Sequence, residues 1–178
     1  MKNLGSVLAL YPTPLVVVGT FSDGKPTWTL VGHLGIMDHI MVSLAKPHYI
    51  NAGIIENKVL SVNIVDEALL ERADYVGCVS GRQTDKSEVF PYVVGEKGAP
   101  VITDAPLSME CVVEDNYETK GFDNFILTIA NTYADQKVLN ENGKIDYGKL
   151  KPVLFEMPTY QYLKTGEFLG ACKSLGKK

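Results

Sequence analysis

Leu15-Val16-Val17-Val18-Gly19-Thr20-Phe21-Ser22-Asp23-Gly24-Lys25-Pro26-Thr27-Trp28-Thr29 is the stretch that decides the fold class. Gly19 to Lys25 matches the first seven positions of a phosphate-binding P-loop, and an apolar β-branched run precedes it. A P-loop would imply an alternating α/β fold. The eighth position, however, is Pro26 instead of the Ser or Thr that would hold magnesium, and Thr27-Trp28-Thr29 is strand composition. No helix N-terminus follows to face a phosphate. Read as a hairpin the stretch is consistent throughout, because Asp23-Gly24 tolerates the positive φ that a tight turn requires.

Strand signals continue outward from this hairpin. Ile40 to Leu44 reads as a third strand. Val59 to Val65 alternates so that Leu60, Val62 and Ile64 form one apolar face. Leu107 to Tyr117 and Asn124 to Tyr133 read as two long strands, and Tyr160 to Leu163 as a last short one. Helical spacing is confined to His48–Asn57 and to Glu67–Tyr75 after the N-cap candidate Asp66, with a turn at Tyr147 to Lys149. Residues 77–106 are punctuated by Gly81, Pro91, Gly95, Gly98, Pro100 and Pro106 and read as a long functional loop. Mainly β with short flanking helices, in a small antiparallel barrel, is the expected architecture.

Composition removes several function classes. The 178 residues are 46% hydrophobic and 21% charged, enough for a full core. The net charge of −4 argues against a nucleic-acid binder. No apolar run approaches membrane length. Cys78, Cys111 and Cys172 have neither disulfide-framework nor zinc-ribbon spacing. With Met1–Leu10 read as mature sequence, this places the protein in the cytoplasm. There is no G-x-G-x-x-G and no G-x-S-x-G. His33, His39 and His48 lack metal-ligand spacing, so no metal is expected.

Two segments carry chemistry. Ser43-Leu44-Ala45-Lys46-Pro47-His48-Tyr49 puts a cation at a strand end running into a helix. That suits an anion, and equally suits a solvated lysine before a helix-starting proline. Ser80-Gly81-Arg82-Gln83-Thr84-Asp85-Lys86 combines a planar fork, a point charge and a glycine that lets backbone approach. It reads as an anion loop or as an exposed polar loop.

With their neighbours, these segments resemble the flavin reductase-like family, in particular the flavoredoxin-type branch of FMN-binding split barrels. The resemblance rests on Tyr11-Pro12-Thr13-Pro14, on Val42-Ser43-Leu44 with Lys46 and Tyr49, and on Ser61-Val62-Asn63-Ile64. Its most specific piece is Ala73-Asp74-Tyr75-x-Gly77-x-x-Ser80-Gly81-Arg82-x-x-Asp85-Lys86. Asp104-Ala105-Pro106-Leu107, Glu110-Cys111, Tyr162-Leu163 and Gly166-Glu167 also fit. It implies a six-stranded antiparallel split β-barrel, one domain over residues 1–178, and a homodimer holding noncovalent FMN.

By the same resemblance, Lys46, His48 and Tyr49 lie near the phosphate or ribityl chain, with Ser43 beside them. Arg82 and Lys86 approach from the loop with Ser80 and Gly81, and Asp85 orients one of the two cations. Thr29, Leu30, Val31 and Gly32 present backbone N–H groups to the ring edge. Leu30 and Val31 are bulkier than the family pattern, which often has Trp or Cys near the position of Gly32. No catalytic side chain is implied, since the flavin carries the chemistry. The implied activity is NAD(P)H:flavin oxidoreduction. The alternatives are a flavoredoxin-like electron carrier reduced by a protein partner and a split-barrel module without flavin turnover.

Overall fold

The computed structural model describes residues 1–174 and 176. Its strands are β1 (Thr13–Pro14), β2 (Val16–Ser22), β3 (Lys25–Val31), β4 (Leu34–Ile36), β5 (Ile40–Ala45), β6 (Val59–Ile64), β7 (Tyr92–Val94), β8 (Pro100–Ile102), β9 (Leu107–Glu118), β10 (Phe122–Ala134), β11 (Leu154–Glu156) and β12 (Gln161–Leu163). The α-helices are α1 (Ile50–Asn57), α2 (Leu70–Cys78) and α3 (Tyr147–Leu150). Seven strands form an antiparallel sheet in the order β3-β2-β6-β9-β10-β5-β4. A three-stranded sheet β1-β11-β12 and the ribbon β7-β8 complete it. The mainly β, antiparallel split-barrel expectation holds, with more strands than the six expected.

The opening stretch is a hairpin. Ser22 pairs with Lys25, and Asp23 and Gly24 both have positive φ, 51° and 75°. Strand periodicity then sends β2 to two cores at once. Val16 and Val18 point into the barrel with Val42, Leu60, Val62 and Phe125. Leu15 and Val17 point outward to Trp28, Phe90 and the α2 residues Ala73 and Val76. Truncating one of these buried aliphatics would cost about 2–5 kcal/mol.

Three differences from the sequence reading have local causes. Asp66 Oδ1 accepts from Leu69 N at 2.9 Å, but the intervening residues form a turn, so α2 begins at Leu70 instead of Glu67. Residues 77–106 contain the β7-β8 ribbon, which alternation in three-residue strands cannot announce. Glu110, fully buried on β9, clamps that ribbon's turn by accepting from Lys97 N at 2.8 Å and Ala99 N at 3.2 Å. Lastly, β4 is three residues long and pairs only with β5. Among the described residues no helix is long and apolar enough to cross a membrane.

Candidate functional site

A cleft of about 280 Å³ opens where β3, the β5–α1 corner and the end of α2 meet. Thr27 and Thr29 come from β3, His48 and Tyr49 from the corner, and Ser80, Gly81 and Lys86 from the loop after α2. An adjoining cleft of about 390 Å³ shares Tyr49, Gly81 and Lys86 and adds Arg82. The two chemistry-bearing segments, some 30 positions apart in the chain, therefore face one place.

Each wall has a local reason. Tyr49 Oη donates to Asp23 Oδ2 and accepts from Ser22 Oγ, each at 3.0 Å, so the β2–β3 turn fixes the ring. Gly81 lies against that ring; a Cβ there would sit 2.5 Å from Tyr49 Cδ1. The loop turns on Ser80, whose carbonyl accepts from Gln83 N and Thr84 N at 3.0 and 2.9 Å. Its hydroxyl accepts from Arg82 N at 3.3 Å. The Arg82 side chain is exposed and has no carboxylate partner among the described residues.

Lys86 dominates the electrostatics. It is only 6% exposed, and its Nζ donates to Val76 O at 2.7 Å and Trp28 O at 3.1 Å. No carboxylate pairs with it among the described residues, and two carbonyls leave one ammonium hydrogen free. Burial lowers its pKa to about 8. His48 is pulled below its ordinary value, first by burial and then by the Lys86 charge. A desolvated cation without a counter-ion is costly alone and favourable once an anion arrives.

Trp28 O also reveals the strand edge. β3 is the edge strand of the main sheet, and in an antiparallel ladder a residue's N–H and C=O point to the same side. Trp28 O faces Lys86, and Gly32 O accepts from Thr13 Oγ1 at 2.7 Å, so these residues face away from β2. By the same parity Leu30 presents its N–H outward, whereas the Thr29 and Val31 N–H groups belong to the β2 ladder. Thus Leu30 and Gly32 keep outward donors, and the expectation for Thr29 and Val31 is corrected. The Leu30 side chain packs under Gly77 and Val31 sits in the barrel core.

Gly32 and Ser43 line a different, more apolar groove of about 350 Å³ with Tyr11, His33, Met41 and Phe122. Ser43 Oγ donates there to Asn124 Oδ1 at 2.7 Å. Thr29 lies in β3 and Gly32 just past its end, three steps on, roughly 10 Å of extended chain. Cleft and groove therefore lie at two ends of one strand edge.

Beside those of Thr29, Val31 and Ser43, two further placements differ from expectation. Lys46 is exposed and its ammonium is held by Glu118 and, at 3.4 Å, by Asp123 Oδ1; the Glu118 bond leads in raising its pKa. It does not line the cleft. Asp85 pairs with Lys25 at 2.7 Å, so it orients neither Arg82 nor Lys86. Sequence reasoning missed Thr27, which reads only as a strand residue, and Phe155. The latter, from β11, fills the space beside Gly32, where a Cβ would meet its ring at 2.4 Å.

The donors fit a phosphate: a buried unpaired ammonium, an unpaired guanidinium, and a loop whose glycine admits close approach. Among the described residues no cluster of His, Cys, Asp and Glu could hold a metal ion.

Residues 8–163 match the family model described as the flavin reductase like domain. No curated protein matches the chain. Among solved structures, it is similar to the flavoredoxin of Methanosarcina acetivorans, with 32% identity, a TM-score of 0.92, and coverage of 99% of this chain and 97% of that one. The flavoredoxin of Desulfovibrio vulgaris (Miyazaki F) gives 33% identity and a TM-score of 0.91, covering 99% and 100%. An FMN-binding protein from Thermus thermophilus, at 18% identity and a TM-score of 0.79 over 97% and 98%, shares the fold.

Proposed function

The chain belongs to the flavin reductase-like family, on its flavoredoxin-type branch, and from that premise we propose that it is an NAD(P)H-dependent oxidoreductase with noncovalent FMN. The observation that carries the reading is Lys86: a buried ammonium without a counter-ion among the described residues, lining both clefts, the second with Arg82. Bound FMN supplies hydride and electron transfer at its ring system. The chain's own residues bind and orient. Lys86, Arg82 and the Ser80–Gly81 turn hold the phosphate, while Tyr49 walls the pocket. The outward N–H groups of Leu30 and Gly32 lie along the edge leading to the apolar groove, where a ring system is screened from water.

The reading includes a homodimer, for which the apolar pair of Ile36 at the end of β4 and Met37 just after it argues, 88% and 54% exposed. It also includes one domain throughout residues 1–178 and a cytoplasmic setting, consistent with three unpaired cysteines. Anaerobic mixing of protein, FMN and NADH or NADPH tests it. Bleaching of the flavin absorbance is expected, and none with either nucleotide defeats nicotinamide dependence. The similarity to two flavoredoxins favours a second reading, an electron carrier that retains FMN through purification and is reduced by a protein partner. Retained cofactor with no nicotinamide turnover selects that one.

A further inference from the structure

Away from the cleft, three side chains meet where the N-terminal segment reaches the C-terminal sheet. Tyr11 Oη lies 3.0 Å from His33 Nε2 and 3.4 Å from Met157 Sδ, and His33 Nε2 lies 3.2 Å from the same sulfur. All three residues are half-buried. A thioether is a weak acceptor, and a phenol and an imidazole converge on this one. Met157 begins the turn that joins β11 to β12, so the sulfur sits on a surface loop instead of inside a strand. Met41 and Met109 are also half-buried, but they lie in β5 and β9. Among the described residues no other methionine sulfur has a hydrogen-bond donor against it.

We propose that Met157 is a modification site for hydroperoxides, oxidised to the sulfoxide with Tyr11 and His33 as its proton relay. A sulfur lone pair attacks one peroxide oxygen; the S–O bond forms as the O–O bond breaks. The departing hydroxide (or alkoxide, from an organic hydroperoxide) takes a proton from the Tyr11–His33 pair, and the hydroxysulfonium returns its own proton to that pair. The thioether loses two electrons, the hydroperoxide becomes water or an alcohol, and the protein's proton count is unchanged. The product oxygen is a strong acceptor formed beside the Tyr11 hydroxyl, which already donates to the sulfur. Sulfoxides are reversible by dedicated reductases, so the change can be undone. Tyr11 and His33 also wall the groove that contains Gly32 and Ser43, so oxidation at Met157 alters what that groove presents. The relay itself involves no flavin contact, but the groove it borders is the one the flavin reading gives to the ring system.

Timed treatment of the full chain with dilute hydrogen peroxide, followed by peptide mass mapping, tests the proposal. Accessibility alone puts Met37, 54% exposed, first, and groups Met157 with Met41 and Met109. The proposal expects Met157 to oxidise at least as fast as Met37 and about tenfold faster than Met41 and Met109, the size of one hydrogen bond in a transition state. Tyr11→Phe and His33→Gln should each slow Met157 relative to Met37, and in urea the advantage should vanish. If Tyr11→Phe loosens the fold, Met41 and Met109 will accelerate together and His33→Gln decides. A Met157 rate equal to theirs in the native chain, or one that His33→Gln leaves unchanged, overturns the proposal.

Discussion

Two lysines expected at the same anion site have opposite surroundings. Lys46, at the β5–α1 corner, is exposed and already shared between Glu118 and Asp123. Lys86, after α2, is buried and donates to two carbonyl oxygens, with no carboxylate partner among the described residues. Position in a motif made them equivalent; their partners make them different. A cation whose charge is spent on the protein's own carboxylates has little left for a ligand, whereas one held by neutral dipoles keeps its full charge for an incoming dianion. On the proposed reading, phosphate binding falls to the loop after α2, and the corner is a supporting wall.

The contrast breaks first at Lys86. Lys86→Met should weaken FMN by about 2–3 kcal/mol, on the order of a hundredfold in Kd, because a charge-assisted bond in a desolvated pocket is lost. Riboflavin, lacking the phosphate, should lose little. Isothermal titration with both ligands reads the difference, and equal losses would place Lys86 away from the phosphate. Arg82→Ala, at an exposed position, should cost about tenfold for FMN with the same sparing of riboflavin.

The hairpin at Asp23-Gly24, the α1 and α2 helices and the long β9 and β10 strands were legible because periodicity and turn chemistry are local. The burial of Lys86 was not, since it depends on where Trp28 and Val76 put their carbonyls. Nor was the capture of Lys46, because Glu118 lies 72 positions away across the β9–β10 pair. For the same reason Asp85, adjacent to Lys86 in sequence, turned out to serve Lys25 on the neighbouring strand. Motif spacing thus picked out a loop that the structure brings to the cleft, while the charge balance within it is set by tertiary contacts that no spacing encodes.

A milder perturbation is pH. The free protein holds the Lys86 pKa near 8, below its ordinary 10.5. If Lys86 holds the phosphate as proposed, raising pH through 8 removes the proton that contact needs, and FMN affinity should fall roughly fourfold between pH 7 and 8.5 as the charged fraction shrinks. The sign for folding is opposite. Above pH 8 the unfolded chain holds this proton while the folded one releases it, so the Lys86 contribution to apo stability rises toward about pH 10. In Lys86→Met both slopes should flatten; fluorescence titration and urea melts across the range read them.

The smallest effect belongs to Lys46, and it tests the contrast most directly. Lys46→Ala removes a cation from sequence that matches the family pattern, yet its ammonium is committed to Glu118 and Asp123 before any ligand arrives. FMN affinity should change by no more than about twofold, within the range of a screened surface charge. Stability should change little, since Asp123, only 5% exposed, keeps its bond from Asn51 Nδ2 at 2.7 Å. If Lys46→Ala instead weakened FMN as much as Lys86→Met, the two carboxylates would have to release Lys46 when ligand binds. The Glu118→Gln variant would then tighten FMN by freeing the same ammonium, whereas with Lys86 as the phosphate ligand it should leave affinity unchanged.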